Sequence, residues 1–316
     1  MLELVSRGTA RNNRAHRRKI EGIVEDRCEE LFANFVAHHT AKIVKSRGIW
    51  SMAGANPLVA ETFTSADLTR AALQRSLETS GGKTFELIAR DIGALSYEVK
   101  NTVPIEALTD GQLQGVAKLM SMLDDGWSAD ASYAALRDRR DSRLPFEPDR
   151  LYGLIMGQKA AHVVDGEFVD DHGTHHLVQI KASGKLNKSG SRAEKLELIK
   201  TYLGYGNHLR HQDRGVAQEH PIAIHLATAL DGAIAAVSPA VRQYWATDEL
   251  LLGDRFWRFV TQLDDGAQLV WRTMSRVAAD VGRDAITDVL RAAHPPLLSP
   301  GQADDEVEVE DEGIGL

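Results

Sequence analysis

One carboxylate, one carboxamide and one ammonium group occur in this sequence at a spacing that would bring them together in a β-hairpin. Asp165 lies in the β-rich run AHVVDGEFVDD, and Gln179 and Lys181 lie in the following run HLVQIKASG. Side chains alternate between the two faces of a strand. If the turn centres on Gly173, Asp165 lies opposite Lys181, and Gln179 lies one step away on the same face.

These side chains suit the hydrolysis of a phosphodiester bond. Mg²⁺ prefers oxygen ligands and uses one or two carboxylates together with water and phosphate oxygens. Asp165 would supply a carboxylate, Gln179 a neutral side-chain oxygen, and the carbonyl group of Ile180 a further oxygen. Lys181 would hold the attacking water and stabilise the negative charge of the transition state. The spacing therefore predicts a magnesium site with Asp165, Gln179 and Lys181 as catalytic residues.

The same segment leaves other interpretations open. Asp165-Gly166 could itself form the turn, because Asp-Gly is a strong hairpin signal, and Asp165 would then have no role in a site. Asp170 or Asp171 could be the metal ligand instead. A zinc site is not predicted, because none of the 12 histidines stands in an HExxH pattern or beside a partner cysteine.

The spacing of Asp165 and Gln179-Ile180-Lys181 resembles the Asp…(Asp/Glu)-x-Lys signature of the PD-(D/E)XK nuclease superfamily, whose largest group is the type II restriction endonucleases. By this resemblance, Asp165 matches the metal-binding aspartate and Lys181 matches the lysine. Gln179 stands in the second acidic position, as in Mrr-like nucleases, and Val164 stands where a proline often precedes the aspartate. The resemblance implies a small mixed β-sheet core surrounded by many helices.

Three further stretches extend the resemblance. SGGKTFELIARDIG resembles the helix before the catalytic hairpin of many restriction enzymes, which implies that Glu86 points toward the metal site. KASGKLNKSGSRAEKLELIKTYL resembles the stretch after the active site in TdeIII-like enzymes, and ELLLGDRFWRFV resembles an element near their C-terminus. The loop after Lys181 would lie beside the scissile phosphate, so DNA contacts are expected from Lys185, Asn187, Lys188 and Arg192.

The resemblance therefore implies a type II restriction endonuclease that uses Mg²⁺ to hydrolyse both strands of double-stranded DNA at a short specific site. A two-fold site implies a homodimer, because protein symmetry mirrors site symmetry. Restriction activity also implies a cognate DNA methyltransferase in the host. The alternatives are an Mrr-like nuclease acting on modified DNA, a non-catalytic DNA-binding protein with a degenerate nuclease fold, and a helical scaffold protein whose hairpin is incidental.

Apolar periodicity along the rest of the chain predicts helices around these strands, and therefore an α/β fold. Ser80-Gly81-Gly82 is expected to interrupt the helical pattern that begins at Ser65, and the run 221–230 is expected to be a strand. We expect three parts. Residues 1–150 form a helical region with DNA-grip and dimer elements and the Glu86 helix, residues 151–300 form a catalytic α/β core with C-terminal helices, and residues 301–316 form an acidic disordered tail.

Composition excludes several classes of protein. The single cysteine, Cys28, excludes an internal disulfide framework. No run approaches the roughly 18 apolar residues that a membrane-spanning helix needs, and the N-terminus has no apolar signal segment, so we expect no membrane partner and a cytoplasmic location. The last 16 residues hold seven acids and no base, and without them the net charge of −8 becomes −1. A body of nearly neutral charge can still present a basic face to DNA.

Overall fold

A computed structural model of the chain gives the sheet and the helices that surround it. The described residues are 2–45, 65–137, 160–183, 185–212, 221–230 and 237–293. The predicted boundary near residue 150 and the predicted acidic tail lie outside these ranges.

Helices make up most of the described chain. They are α1 (Leu2–Lys45), α2 (Ser65–Gly93), α3 (Asp110–Asp124), α4 (Ala129–Arg137), α5 (Lys188–Gln212), α6 (Pro239–Tyr244), α7 (Asp254–Thr261), α8 (Gly266–Val277) and α9 (Arg283–Ala293). A short 3₁₀ turn (Thr247–Glu249) follows α6, and a π-helical segment (Ala278–Gly282) joins α8 to α9. The strands are β1 (Glu98–Ile105), β2 (Ala160–Val169), β3 (His175–Lys181), β4 (Ile222–Thr228) and β5 (Leu250–Leu252).

The five strands form one open mixed sheet in the order β1-β2-β3-β4-β5. Neighbouring strands are antiparallel from β1 to β3 and parallel from β3 to β5. The helix α5 lies between the parallel strands β3 and β4 in the chain, which is the crossover that parallel neighbours need. The predicted α/β class with a mixed sheet among helices is confirmed, and so are both hairpin strands and the strand in 221–230.

Alternation along the strands divides the core into two layers. On one face of the sheet, Phe168, Val178 and Ile180 pack with apolar residues of α1, α2, α7 and α8. On the other face, Val164 and Leu177 pack with apolar residues of α3, α5 and α6. Both faces are therefore covered by helices.

The predicted helix break at Ser80-Gly81-Gly82 is wrong, because α2 continues through it. A glycine inside a helix costs about 1 kcal/mol relative to alanine. Contacts with α1 on both sides of the glycines offset that cost. Leu73 packs against Phe35 before them, and Ile88 lies after them in the buried core that α1 also enters.

Two strands occur where helical structure was expected. β1 lies within the region 1–150 and forms an edge of the sheet, so this region contributes directly to the α/β core. The alternating apolar residues Val99, Val103 and Ile105 are the sequence signal for it. β5 interrupts the predicted C-terminal helices with three buried leucines, Leu250–Leu252. Both are edge strands, and the short length of β5 is typical of such strands.

A pair of histidines packs between the sheet and α7. The rings of His176 and His225 are stacked, with Nδ1 of the first 3.1 Å from Nε2 of the second, and Phe259 lies against both. Asp170 Oδ2 lies 3.4 Å from Nε2 of His176. Burial, together with the positive charges of His176 and Arg255, lowers the pKa of His225 to about 3.

We predict that His225→Gln weakens the dependence of stability on pH. Below about pH 6.5 the unfolded chain takes up a proton on His225 that the folded protein does not. The free energy of unfolding therefore falls as the pH is lowered from about 6.5 toward 3, by up to about 1.4 kcal/mol per pH unit from this residue. Urea unfolding at pH 7, 6 and 5 measures the slope.

The matched control is His172→Gln, which changes an exposed histidine of the neighbouring turn and should leave the slope as it is in the wild type. An unchanged slope in the His225→Gln protein would contradict the assignment of a buried neutral histidine.

Candidate functional site

A β-bulge in β2 sets the position of Asp165. Lys100 of β1 pairs with Glu167 and Thr102 pairs with Val163, so three residues of β2, with Asp165 in the middle, lie opposite a single residue of β1. A bulge bends the strand and redirects the side chains in it, and bulges are common beside active sites. The alternative in which Asp165-Gly166 forms the hairpin turn is therefore wrong, because both residues lie within β2.

The hairpin turn lies one residue earlier than expected. β2 and β3 pair from Val169↔His175 to Gly166↔Val178, so the turn centres on His172 and not on Gly173. The direct pairing of Asp165 with Lys181 is therefore wrong by two residues. A shift of two residues preserves the predicted alternation along β3, whereas a shift of one would have reversed it. In β2 the bulge breaks the alternation, so Val164 and Phe168 pack on opposite faces of the sheet although they are four residues apart.

The turn itself is held by Asp170. Its Oδ1 accepts hydrogen bonds from the backbone N–H groups of His172 and Thr174, both at 2.9 Å. Asp171 is exposed in the same turn. The geometry thus gives Asp170 a structural role, and Asp165 is the aspartate of this hairpin that lies near Lys181.

Asp165 is half-buried and bonded across the hairpin. Its Oδ2 accepts a hydrogen bond of 2.7 Å from the backbone N–H of Ile180. Burial raises the pKa of Asp165, while the Ile180 N–H and the positive charge of Lys181 oppose that rise. The side chain of Ile180 points the other way, into the core with Phe168. Gln179 is half-buried on β3, two residues before Lys181.

Glu86 of α2 lies within electrostatic range of the same group. Burial raises the pKa of Glu86, and the negative charge of Asp165 raises it further, whereas the positive charges of Lys181 and Arg90 lower it. α2 contacts β1, β2 and β3, so the helix brings Glu86 to the sheet. Two carboxylates and one amine expected from the sequence thus lie in one neighbourhood.

Glu194 is a further acid that the sequence reasoning did not place at the site. Its Oε1 lies 2.9 Å from Nζ of Lys181, and its negative charge contributes to the raised pKa of Asp165. Glu194 lies in the second turn of α5, which begins seven residues after β3 ends. That short connection is the signal that could have found it, because a helix returning over the sheet from there must begin near Lys181.

Buried and half-buried contacts hold α5, and with it Glu194, in place. Lys195 is fully buried and bonds to Glu249, with the rings of Trp245 and Tyr133 beside its ammonium group. Tyr133 donates a hydrogen bond of 2.6 Å to the same glutamate. An ion pair that is buried and fully bonded fixes the orientation of the helix on which it lies.

The residues expected to contact DNA have mixed surroundings. Asn187 caps α5, with its Oδ1 2.7 Å from the N–H of Gly190. Nε of Arg192 lies 3.0 Å from both carboxylate oxygens of Asp124, and Nζ of Lys188 lies 3.4 Å from the carbonyl oxygen of the same residue. Lys185 is exposed. Asn187 and Arg192 therefore have structural partners already.

The donor set fits a divalent cation that has few protein ligands. Asp165, Glu86 and Glu194 offer carboxylate oxygens, and Mg²⁺ usually takes one or two of these and keeps several waters. In the described ranges, no three His, Cys, Asp or Glu side chains are close enough together to hold a metal ion by themselves. A cation here would take its remaining ligands from water and from substrate phosphate.

Comparison of the chain with models of protein families, with curated proteins and with solved structures gives no match. Across the part of the chain that the structure describes, no helix has the length and apolar character needed to cross a bilayer. Function is therefore inferred from the geometry and charges of the site itself.

We predict that Asp165→Asn keeps the fold and loses affinity for Mg²⁺. The amide oxygen of asparagine can accept the same N–H of Ile180, so the free energy of unfolding should change by less than about 1 kcal/mol. The negative charge that attracts the cation is lost, and calorimetric titration with MgCl₂ should show at least about tenfold weaker binding.

The matched control is Asp171→Asn, which neutralises an exposed aspartate of the same hairpin and should bind Mg²⁺ as the wild type does. Equal affinity in the wild type and in the Asp165→Asn protein would remove Asp165 from the site.

Proposed function

We propose that this protein is a Mg²⁺-dependent endonuclease of the type II restriction kind, which hydrolyses phosphodiester bonds in double-stranded DNA at a short specific site. The observation that carries the proposal is the neighbourhood of Asp165 and Lys181, with Glu86 and Glu194 beside them. A half-buried cluster of carboxylates can bind the metal ion, and one amine beside it can contact the attacking water, as metal-assisted phosphodiester hydrolysis needs.

The fold supports the proposal through the placement of these residues. Asp165 lies on the first strand of the hairpin and Lys181 on the second, and Glu86 lies on the helix that precedes β1. This is the arrangement that the resemblance to PD-(D/E)XK nucleases implies. We extend the proposal to a core of that type, within the mixed α/β sheet described above.

Each residue of the site would have a separate role in hydrolysis. Asp165 would hold the cation together with one further carboxylate, Glu86 or Glu194, since Gln179 and the carbonyl group of Ile180 offer only neutral oxygens. When bound, Mg²⁺ would lower the pKa of a bound water and neutralise charge on the phosphate. Lys181 would donate hydrogen bonds to the attacking water and to the phosphate oxygens.

The electrostatics favour a cation at this place. Burial raises the pKa of both Glu86 and Asp165, and repulsion between like charges adds to it, from Asp165 acting on Glu86 and from Glu194 acting on Asp165. A bound divalent cation would relieve that repulsion and keep both carboxylates ionised. Cleavage of a two-fold DNA site by a homodimer, a methyltransferase in the host and a cytoplasmic location belong to the same proposal.

Gln179 favours a second candidate function, a DNA-binding protein of this fold without catalytic activity. Glutamine binds a cation more weakly than the acid that the resemblance places there, because its oxygen is uncharged. For the nuclease, Glu194 of α5 would compensate for the uncharged oxygen of Gln179, because it brings a carboxylate to Lys181.

Incubation of the purified full chain with plasmid DNA of known sequence, with and without MgCl₂, tests the proposal. We expect discrete fragments that require Mg²⁺, and a loss of cleavage of at least about 100-fold in Lys181→Ala, because that amine acts on the reacting atoms. DNA binding should persist in the variant. The matched control is Lys200→Ala, an exposed lysine of α5, which should cleave as the wild type does.

Each alternative gives a different result in this experiment. Cleavage of methylated plasmid alone would favour the Mrr-like nuclease. Retarded migration of the plasmid without cleavage would favour the non-catalytic protein. Cleavage by Lys181→Ala at the wild-type rate would contradict the proposed site.

A further inference from the structure

We propose that one stripe of α2 binds the phosphates of one DNA strand on both sides of the cleaved bond. The stripe, called here the α2 cation stripe, consists of Lys83 and Arg90, which bracket Glu86. The inference rests on the proposed function and names a contact surface for its substrate that neither the motif nor its flanking loop predicts.

Helix geometry places these three residues on one side of α2. Lys83 lies three residues before Glu86 and Arg90 lies four residues after it, and such neighbours share a helix face. The two cations are about 10 Å apart along the helix axis. Each strand of a duplex carries one phosphate for about every 3.4 Å of its axis, so the two cations span more than one phosphate step. A phosphate bound near Glu86 would thus have neighbours within reach of both cations.

Among the described residues, no carboxylate lies within ion-pairing distance of Lys83 or Arg90, although both act on Glu86 through longer-range electrostatics. Arg27 on α1 is different, because Asp91 and Glu30 both bond to it at 2.6 Å. Arg90 also lowers the pKa of Asp165, so its positive charge reaches the cluster on β2.

A groove lined by both polar and apolar side chains continues the stripe toward the start of α2. Lys83 lies on its wall, and the groove between α1 and α2 has a volume of about 470 Å³. Ser80 of α2 and Asn34 of α1 line it as well, and the carboxylate of Glu30 on its wall is paired with Arg27. Hydroxyl, amide and ammonium groups are the donors that proteins use for phosphate and sugar oxygens, and these contacts fix register without reading sequence. The groove therefore extends the surface on which a strand would lie.

The contrast with the loop after Lys181 supports the choice of α2. Arg192 is neutralised by Asp124 and Asn187 caps its helix, so those two residues would need new partners before they could bind phosphate. Lys83 and Arg90 need to break no ion pair with a described residue.

The dependence of duplex binding on salt tests the inference. Binding of a duplex oligonucleotide that contains the cleavage site is measured without divalent metal from 50 to 300 mM NaCl, for wild type, Lys83→Ala, Arg90→Ala and the double variant. Each phosphate contact contributes about 0.9 to the slope of log affinity against log salt. We expect the slope to become shallower by about 0.9 in each single variant and by about 1.8 in the double variant.

Three variants serve as controls in the same titration. Lys118→Ala and Arg283→Ala remove exposed cations from α3 and α9 and should keep the wild-type slope. Arg90→Lys keeps the positive charge at this half-buried position, so its slope should stay close to that of the wild type. If Arg90→Ala changed the slope through a defect in folding, keeping the charge would not be expected to prevent the change. Thermal unfolding is recorded for each protein.

The outcomes separate this inference from the proposed function. A wild type that cleaves DNA, together with a double variant that keeps the wild-type slope, would overturn the α2 cation stripe and leave the nuclease proposal standing. A wild type that neither binds nor cleaves duplex DNA would overturn both.

Discussion

The hydrogen bond from the backbone N–H of Ile180 to Asp165 is the interaction on which the candidate site depends. It joins β2 to β3 at the bulge, beyond the last regular pair of the hairpin, over 2.7 Å. A half-buried carboxylate is unfavourable without a partner, and this N–H supplies one. The bond therefore holds a negative charge near Lys181 and within range of Glu86, where burial alone would favour its protonation.

Much of this arrangement could be predicted from the sequence. Two β-rich runs joined by a short polar turn allow Asp165 and Lys181 to be assigned to one hairpin without coordinates. The α/β class follows from strands placed among amphipathic helices, and the mixed sheet is what the resemblance implied.

The remainder depends on contacts between distant parts of the chain. The register of the hairpin is set by the bonds of Asp170 within the turn, and the bulge in β2 is set by its pairing with β1, a strand that lies far earlier in the sequence. The continuity of α2 through two glycines depends on packing against α1. Lys195 anchors α5, the helix that carries Glu194, to Glu249, a residue more than 50 positions further along the chain, and no local pattern encodes that contact.

The central claim is that Asp165 and one neighbouring carboxylate bind a single divalent cation beside Lys181. A crystal of the protein grown with MnCl₂, and measured for anomalous scattering, tests this most directly. The account predicts one strong peak about 2.1 Å from a carboxylate oxygen of Asp165, with Glu86 or Glu194 as a second ligand. A map without a peak at this end of the hairpin, or with Mn²⁺ bound to other residues alone, would contradict it.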